Sequence, residues 1–137
     1  MSANIGIWID DEKAVIVSSV ETERDLDYLG PGYEIPNFLI DGSPEDDFEV
    51  KIIESGKTGE KVLLPEERSR YYKKVVSCLE TAKYVFIFGP GQAKRDLRKE
   101  ISCSAKTSAK VVSTHPAEEM TLNQIIVRVR RYFAVPS

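Results

Sequence analysis

Hydrophobic residues follow two rhythms along this chain, and the change comes at Pro65. Before it, short β-branched runs are cut by charged or glycine-bearing gaps. Ile5-Gly6-Ile7-Trp8-Ile9 stops at Asp10-Asp11-Glu12-Lys13 and resumes at Ala14-Val15-Ile16-Val17, a pattern that predicts an antiparallel hairpin closed by a charged turn. Gly30-Pro31-Gly32 marks a turn, Phe38-Leu39-Ile40 a third strand, and the alternation from Phe48 to Ile52 a further strand. Polar loops at Gly42–Asp47 and Ser55–Glu60 flank that last strand. The stretch between Gly42 and Pro65 is expected to be the mobile part.

After Pro65 the spacing turns helical. Tyr72, Val75, Val76, Leu79 and Ala82 recur every three or four residues; Pro65 suits a first turn, and Glu66 and Glu67 complement the positive helix end. Tyr84-Val85-Phe86-Ile87-Phe88 is apolar throughout, as a strand covered on both faces must be, and Gly89-Pro90-Gly91 ends it. A second helix carries Ala93, Leu97 and Ile101 inward and is expected to turn Lys94, Arg95, Arg98 and Lys99 outward. Ala109–Ser113 predicts another strand, with His115 before Pro116 ordering the loop that follows. A final helix then begins with Thr121 and Gln124 as a capping box. Its apolar stripe is Leu122, Ile125, Ile126, Val129 and Phe133; its exposed side holds Arg128, Arg130 and Arg131.

Strands followed by alternating helices and strands predict an α/β fold: a mixed sheet with an N-terminal antiparallel hairpin and flanking helices, of ribonuclease-H-like kind. No repeat or linker interrupts the 137 residues, which suit a single domain spanning 1–137. A hydrophobic share of 42% and a charged share of 30% disfavour both disorder and a membrane protein. No apolar run approaches the ~20 residues of a spanning helix. Met1–Gly6 has neither the basic patch nor the apolar segment of a signal peptide, so a cytoplasmic location is expected.

Cys78 and Cys103 are far apart, each in a predicted helix, which argues for reduced, buried thiols. With His115 the sole histidine, no Cys/His zinc cluster can be assembled. Charge is unevenly placed: residues 1–65 carry net -10 and residues 66–137 net +7, within a total of -3. Such a split suits a basic surface facing an anionic partner, or helices that charge merely solubilises.

The segment Tyr84-Val85-Phe86-Ile87-Phe88-Gly89-Pro90-Gly91-Gln92-Ala93-Lys94, with Leu97 beyond it, resembles the strand, Gly-Pro-Gly turn and Lys-bearing helix in the middle domain of the Pelota and class 1 release-factor family. Residues 65–134 carry most of the similarity. Gly6-Ile7-Trp8-Ile9-Asp10 and Met120-Thr121-Leu122-Asn123-Gln124-Ile125-Ile126 are similar to the ends of small prokaryotic single-domain relatives of that group, called translational-machinery-component-like proteins. The resemblance implies a ribonuclease-H-like fold and association with ribosomes. The release factors' Gly-Gly-Gln tripeptide, which belongs in a loop at about residues 42–65, is absent here; Gly91-Gln92 lies on the later turn. The resemblance therefore transfers no catalytic residue, and Pelota itself lacks the tripeptide.

The candidate residues for RNA or anion binding are Gly89, Gly91, Lys94, Arg95, Arg98, Lys99, Arg128 and Arg131. A helix start after a glycine turn presents backbone donors to a phosphate, and the basic side chains can neutralise a phosphate backbone. Gly89-Pro90-Gly91 serves equally as a plain turn, since it matches neither glycine-rich nucleotide fingerprint. Tyr71, Tyr72 and Tyr132 offer base stacking or, at helical spacing, core packing. Asp10, on the first strand, raises the alternative of a metal-dependent nuclease, with Glu66, Glu67, Glu118 and Glu119 as partners that spacing does not select, against a solvated hairpin turn. The expectation is a noncatalytic, translation-associated module contacting ribosomal RNA or a ribosome-bound partner, with no cofactor, metal or membrane. A scaffold that forms a homodimer through an exposed sheet edge is the third alternative.

Overall fold

The structure, a computed structural model, describes residues 3–20 and 48–134. Its elements run β1 (Ala3–Ile9), β2 (Lys13–Val20), β3 (Phe48–Glu54), α1 (Pro65–Ser77), β4 (Ala82–Gly89), α2 (Ala93–Cys103), β5 (Lys110–Pro116) and α3 (Leu122–Ala134). The five strands form one mixed sheet in the order β3-β2-β1-β4-β5. β1 is antiparallel to β2, and β2 to β3; β1 and β4 are parallel, as are β4 and β5. The α/β class, the hairpin and the flanking helices thus stand as read from the sequence. The turn at Gly30–Gly32, the strand at Phe38–Ile40 and the loop at Gly42–Asp47 lie outside the described residues.

Alternation along the strands sorts the core into two layers. Ile5, Ile7, Ile9, Ala14, Ile16, Val85 and Ile87 face α1 and α2, meeting Tyr71, Tyr72, Val75 and Val76 of α1 and Ala93, Leu97 and Ile101 of α2. Trp8, Val15, Val17, Phe86 and Phe88 face the other way and meet Ile125, Ile126 and Val129 of α3. β4 feeds both layers, which explains its uniformly apolar sequence.

Local signals fix the helix starts. At α1, Glu67 Oε1 accepts the Leu64 N–H at 3.0 Å, with Pro65 in the first turn, where its missing N–H costs nothing. At α3, Thr121 and Gln124 exchange the expected reciprocal bonds: Gln124 Oε1 accepts the Thr121 N–H at 2.9 Å and Thr121 Oγ1 accepts the Gln124 N–H at 3.2 Å. Leu122, placed in the apolar stripe by spacing, is 39% exposed because the stripe meets the sheet only from Ile125 onward.

Two further expectations are corrected. β5 continues to Pro116, so His115 is a strand residue, its ring edge against Phe86 at 5.4 Å between centroids. Cys103 is exposed at the last position of α2, and Cys78 is half-buried just past the end of α1, so neither is a core thiol. Among the described residues, no helix is long and apolar enough to cross a membrane.

Candidate functional site

The Gly89-Pro90-Gly91 turn closes β4 beside the end of β1. Gly89 has φ +149°, and a Cβ there would lie 2.2 Å from the Ile9 carbonyl oxygen, so the turn needs glycine to let the two strand ends approach. Gly91 takes the left-handed conformation at φ +67° with open space around it. The Gly89 carbonyl accepts the Ala117 N–H at 3.1 Å, tying in the loop after β5.

Lys94 does not belong to an outward basic face. It is 6% exposed, and its Nζ donates to the Gly91 carbonyl, so its charge is folded back over the turn that precedes its own helix. The long aliphatic stem is what allows this burial. Arg95 is exposed and donates to Gln92 Oε1 at 3.3 Å. Arg98 and Lys99 are exposed one turn further on.

The remaining candidates lie on the opposite face of the sheet, because α3 covers the side that α1 and α2 leave open. Arg128 is half-buried with its guanidinium 5.4 Å from the Phe88 ring centroid, and Arg130, expected outside, is buried. Arg131 is exposed. Tyr132 stacks on Phe86 at 3.9 Å and accepts a 2.9 Å bond from Ser113, so it packs rather than presenting a free ring. The set read from the sequence therefore splits in two.

α1 supplies cations that the sequence reading did not single out. Arg68, Arg70, Lys73 and Lys74 are all exposed and interleave with the buried Tyr71, Tyr72, Val75 and Val76. α1 and α2 share one layer of the core, and the Tyr72 hydroxyl donates to Asp96 Oδ2 at 3.4 Å between them. The α1–α2 face thus gathers Arg68, Arg70, Lys73, Lys74, Arg95, Arg98 and Lys99. Among the described residues none of these enters an ion pair, whereas Lys61 meets Glu67 at 3.0 Å. Arg70 and Lys74 also border a depression of about 220 Å³ with Glu54, Ser55, Glu67 and Tyr71.

Burial raises both tyrosine hydroxyls of α1, Tyr72 to about 12 with Asp96 and Asp11 adding to the effect, and Tyr71 further with Asp10 nearby. The Leu64 N–H and then Lys61 hold the Glu67 carboxyl below its usual range.

Asp10 closes the hairpin. Its Oδ1 accepts the N–H groups of Glu12 and Lys13, each at 2.8 Å, while its carbonyl accepts the Tyr71 hydroxyl at 3.0 Å. Glu67 serves the α1 cap, and the Glu118 carbonyl accepts Trp8 Nε1 at 3.1 Å. Among the described residues no three carboxylate, histidine or cysteine groups converge as a metal site requires. No family model and no curated protein matches the chain.

Proposed function

We propose that this chain is a noncatalytic, RNA-contacting module of translation, built on a ribonuclease-H-like fold and related to the middle domain of Pelota and the class 1 release factors. The observation that carries the reading is the α1–α2 face: seven exposed cations on two adjacent helices, without ion-pair partners among the described residues. Such a surface recognises a phosphate backbone through charge, with little dependence on base sequence. An antiparallel β1-β2-β3 meander continued by parallel β4 and β5, with helices on both faces, supports the ribonuclease-H-like assignment. The Gly89-Pro90-Gly91 turn with Lys94 behind it supports the kinship.

Relative to the set first read from the sequence, the α1–α2 face keeps Arg95, Arg98 and Lys99 and adds α1. Gly89, Gly91 and Lys94 build the turn, and Arg128 and Arg131 lie on the far face. The test is sedimentation of the protein with ribosomal particles at low and moderate salt. Wild type is expected to migrate with the particles and to leave them as salt rises. The Lys73→Glu/Arg98→Glu/Lys99→Glu variant is expected to stay at the top of the gradient, and Arg131→Glu to behave as wild type. Migration of the triple variant with the particles would refute the assignment of the surface, and absence of wild type from them would refute the role.

A further inference from the structure

The two outer strands of the sheet are built differently. β5 carries an irregularity, since Val85 pairs with Val111 and Phe86 with Ser113, leaving Val112 without a partner, and it ends in Pro116. Bulges and prolines are the devices by which proteins keep an edge from pairing with another chain. β3 has neither. All seven of its residues pair in unbroken register with β2, from Lys13↔Glu54 to Ser19↔Phe48, and among the described residues nothing lies beyond it.

The direction of its free backbone groups follows from one bond. The Ser55 N–H donates to the Glu12 carbonyl at 2.9 Å, continuing the β2–β3 register by one step. Antiparallel ladders alternate, so Ile53, Lys51 and Glu49 turn their backbone groups toward β2, while Ile52 and Val50 turn theirs to the open edge. On the α1–α2 side of the sheet stand Glu49 and Lys51, opposite Ser18 and Ile16, both exposed and without an ion pair among the described residues. On the other side stand Val50, half-buried, and Ile52, 52% exposed although Val15 beside it is buried.

We infer that the β3 edge pairs with the β3 edge of a second copy of this chain, antiparallel about a twofold axis at Val50. That axis sets Glu49 of each copy against Lys51 of the other and Ile52 against position 48. Neighbouring registers set Lys51 against Lys51, Lys51 against Ile53, or Glu49 against Glu49, so this one alone answers both charges. It also makes Val50–Val50 and Ile52–Phe48 the hydrogen-bonded pairs and Glu49–Lys51 the non-hydrogen-bonded ones, where side chains approach most closely. The sheet then runs unbroken through both copies.

The experiment is analytical ultracentrifugation across a wide concentration range, with circular dichroism confirming that each variant is folded. Wild type is expected to sediment as a concentration-dependent dimer. Glu49→Lys and Lys51→Glu are each expected to sediment as monomers, because each sets like charges across the axis. Mixed in equal amounts, the two are expected to recover the dimer, with one copy of each variant. A wild type that stays monomeric, single variants that still dimerise, or a mixture that remains monomeric would overturn the inference.

Discussion

Gly6 of β1 and Val129 of α3 approach so closely that a Cβ on residue 6 would lie 2.2 Å from Val129 Cγ2. The glycine is the recess into which α3 settles on the sheet. Gly6→Ala is therefore expected to destabilise the protein by about 1–3 kcal/mol, the range for overpacking a tight core. Adding Val129→Ala should return part of the loss, and chemical denaturation of the two variants measures both effects.

Gly89 and Gly91 should respond differently to alanine. At position 89 the new Cβ strikes the Ile9 carbonyl, a backbone atom that cannot rotate away; at position 91 it meets nothing within 4 Å, and only the left-handed conformation is strained. Gly91→Ala is expected to cost about 1 kcal/mol and Gly89→Ala clearly more, read as midpoint shifts in urea.

The hidden and exposed cations of α2 make separable predictions. Replacing Lys94 by Met removes the tie to the Gly91 carbonyl and should lower stability by about 1.5–3 kcal/mol, as for hydrogen bonds to charged groups. It should leave the salt dependence of RNA binding unchanged. Arg98→Gln should leave stability within about 0.5 kcal/mol and flatten the slope of log affinity against log salt by roughly one unit. A titration of ribosomal RNA at several salt concentrations, with thermal melts alongside, checks the pair.

Tyr72 predicts an alkaline limit. Its folded-state value, about 12, lies above the ordinary 10.0, so the folded protein holds a proton that the unfolded chain has released. The stability this represents is fully present below about pH 10 and is lost as pH rises toward the folded value; Tyr71, raised further, acts in the same direction. Unfolding free energies measured between pH 9 and 12 should fall steeply, and less steeply in Tyr72→Phe.

Most of the element order was legible because the signals are clean: β1 and β2 are short apolar, β-branched runs cut by the charged Asp10-Asp11-Glu12-Lys13 turn, α2 and α3 repeat their apolar residues every three or four positions, and Thr121 and Gln124 form the cap their types announce. Lys94 and Arg130 were misplaced by residue type, although their spacing pointed inward. Lys94 precedes Leu97 by three residues and Arg130 follows Ile126 by four, and a long aliphatic stem lets either enter the core layer. The split of the basic residues between two faces was not legible. Helical spacing tells which side chains share a helix face, whereas the crossover connection decides which side of the sheet that helix covers. The α1 cations carried a signal in their interleaving with Tyr71, Tyr72, Val75 and Val76, but the sequence reading singled out the basic residues beside the Gly89-Pro90-Gly91 turn and on the last helix.

The central pairing of the sheet joins the first strand to the fourth, with Ile5 beside Val85 and Ile7 beside Ile87. A chain emerging from its N-terminus releases the β1–β2 hairpin long before the helices that pack on its two faces, α1 and α2 on one and α3 on the other. Closing so long a loop sets the folding rate more than it sets stability. Trp8, Val15 and Val17 acquire the helix that buries them only when Leu122–Ala134 has been synthesised, so the nascent protein is at its stickiest in the interval between β2 and α3.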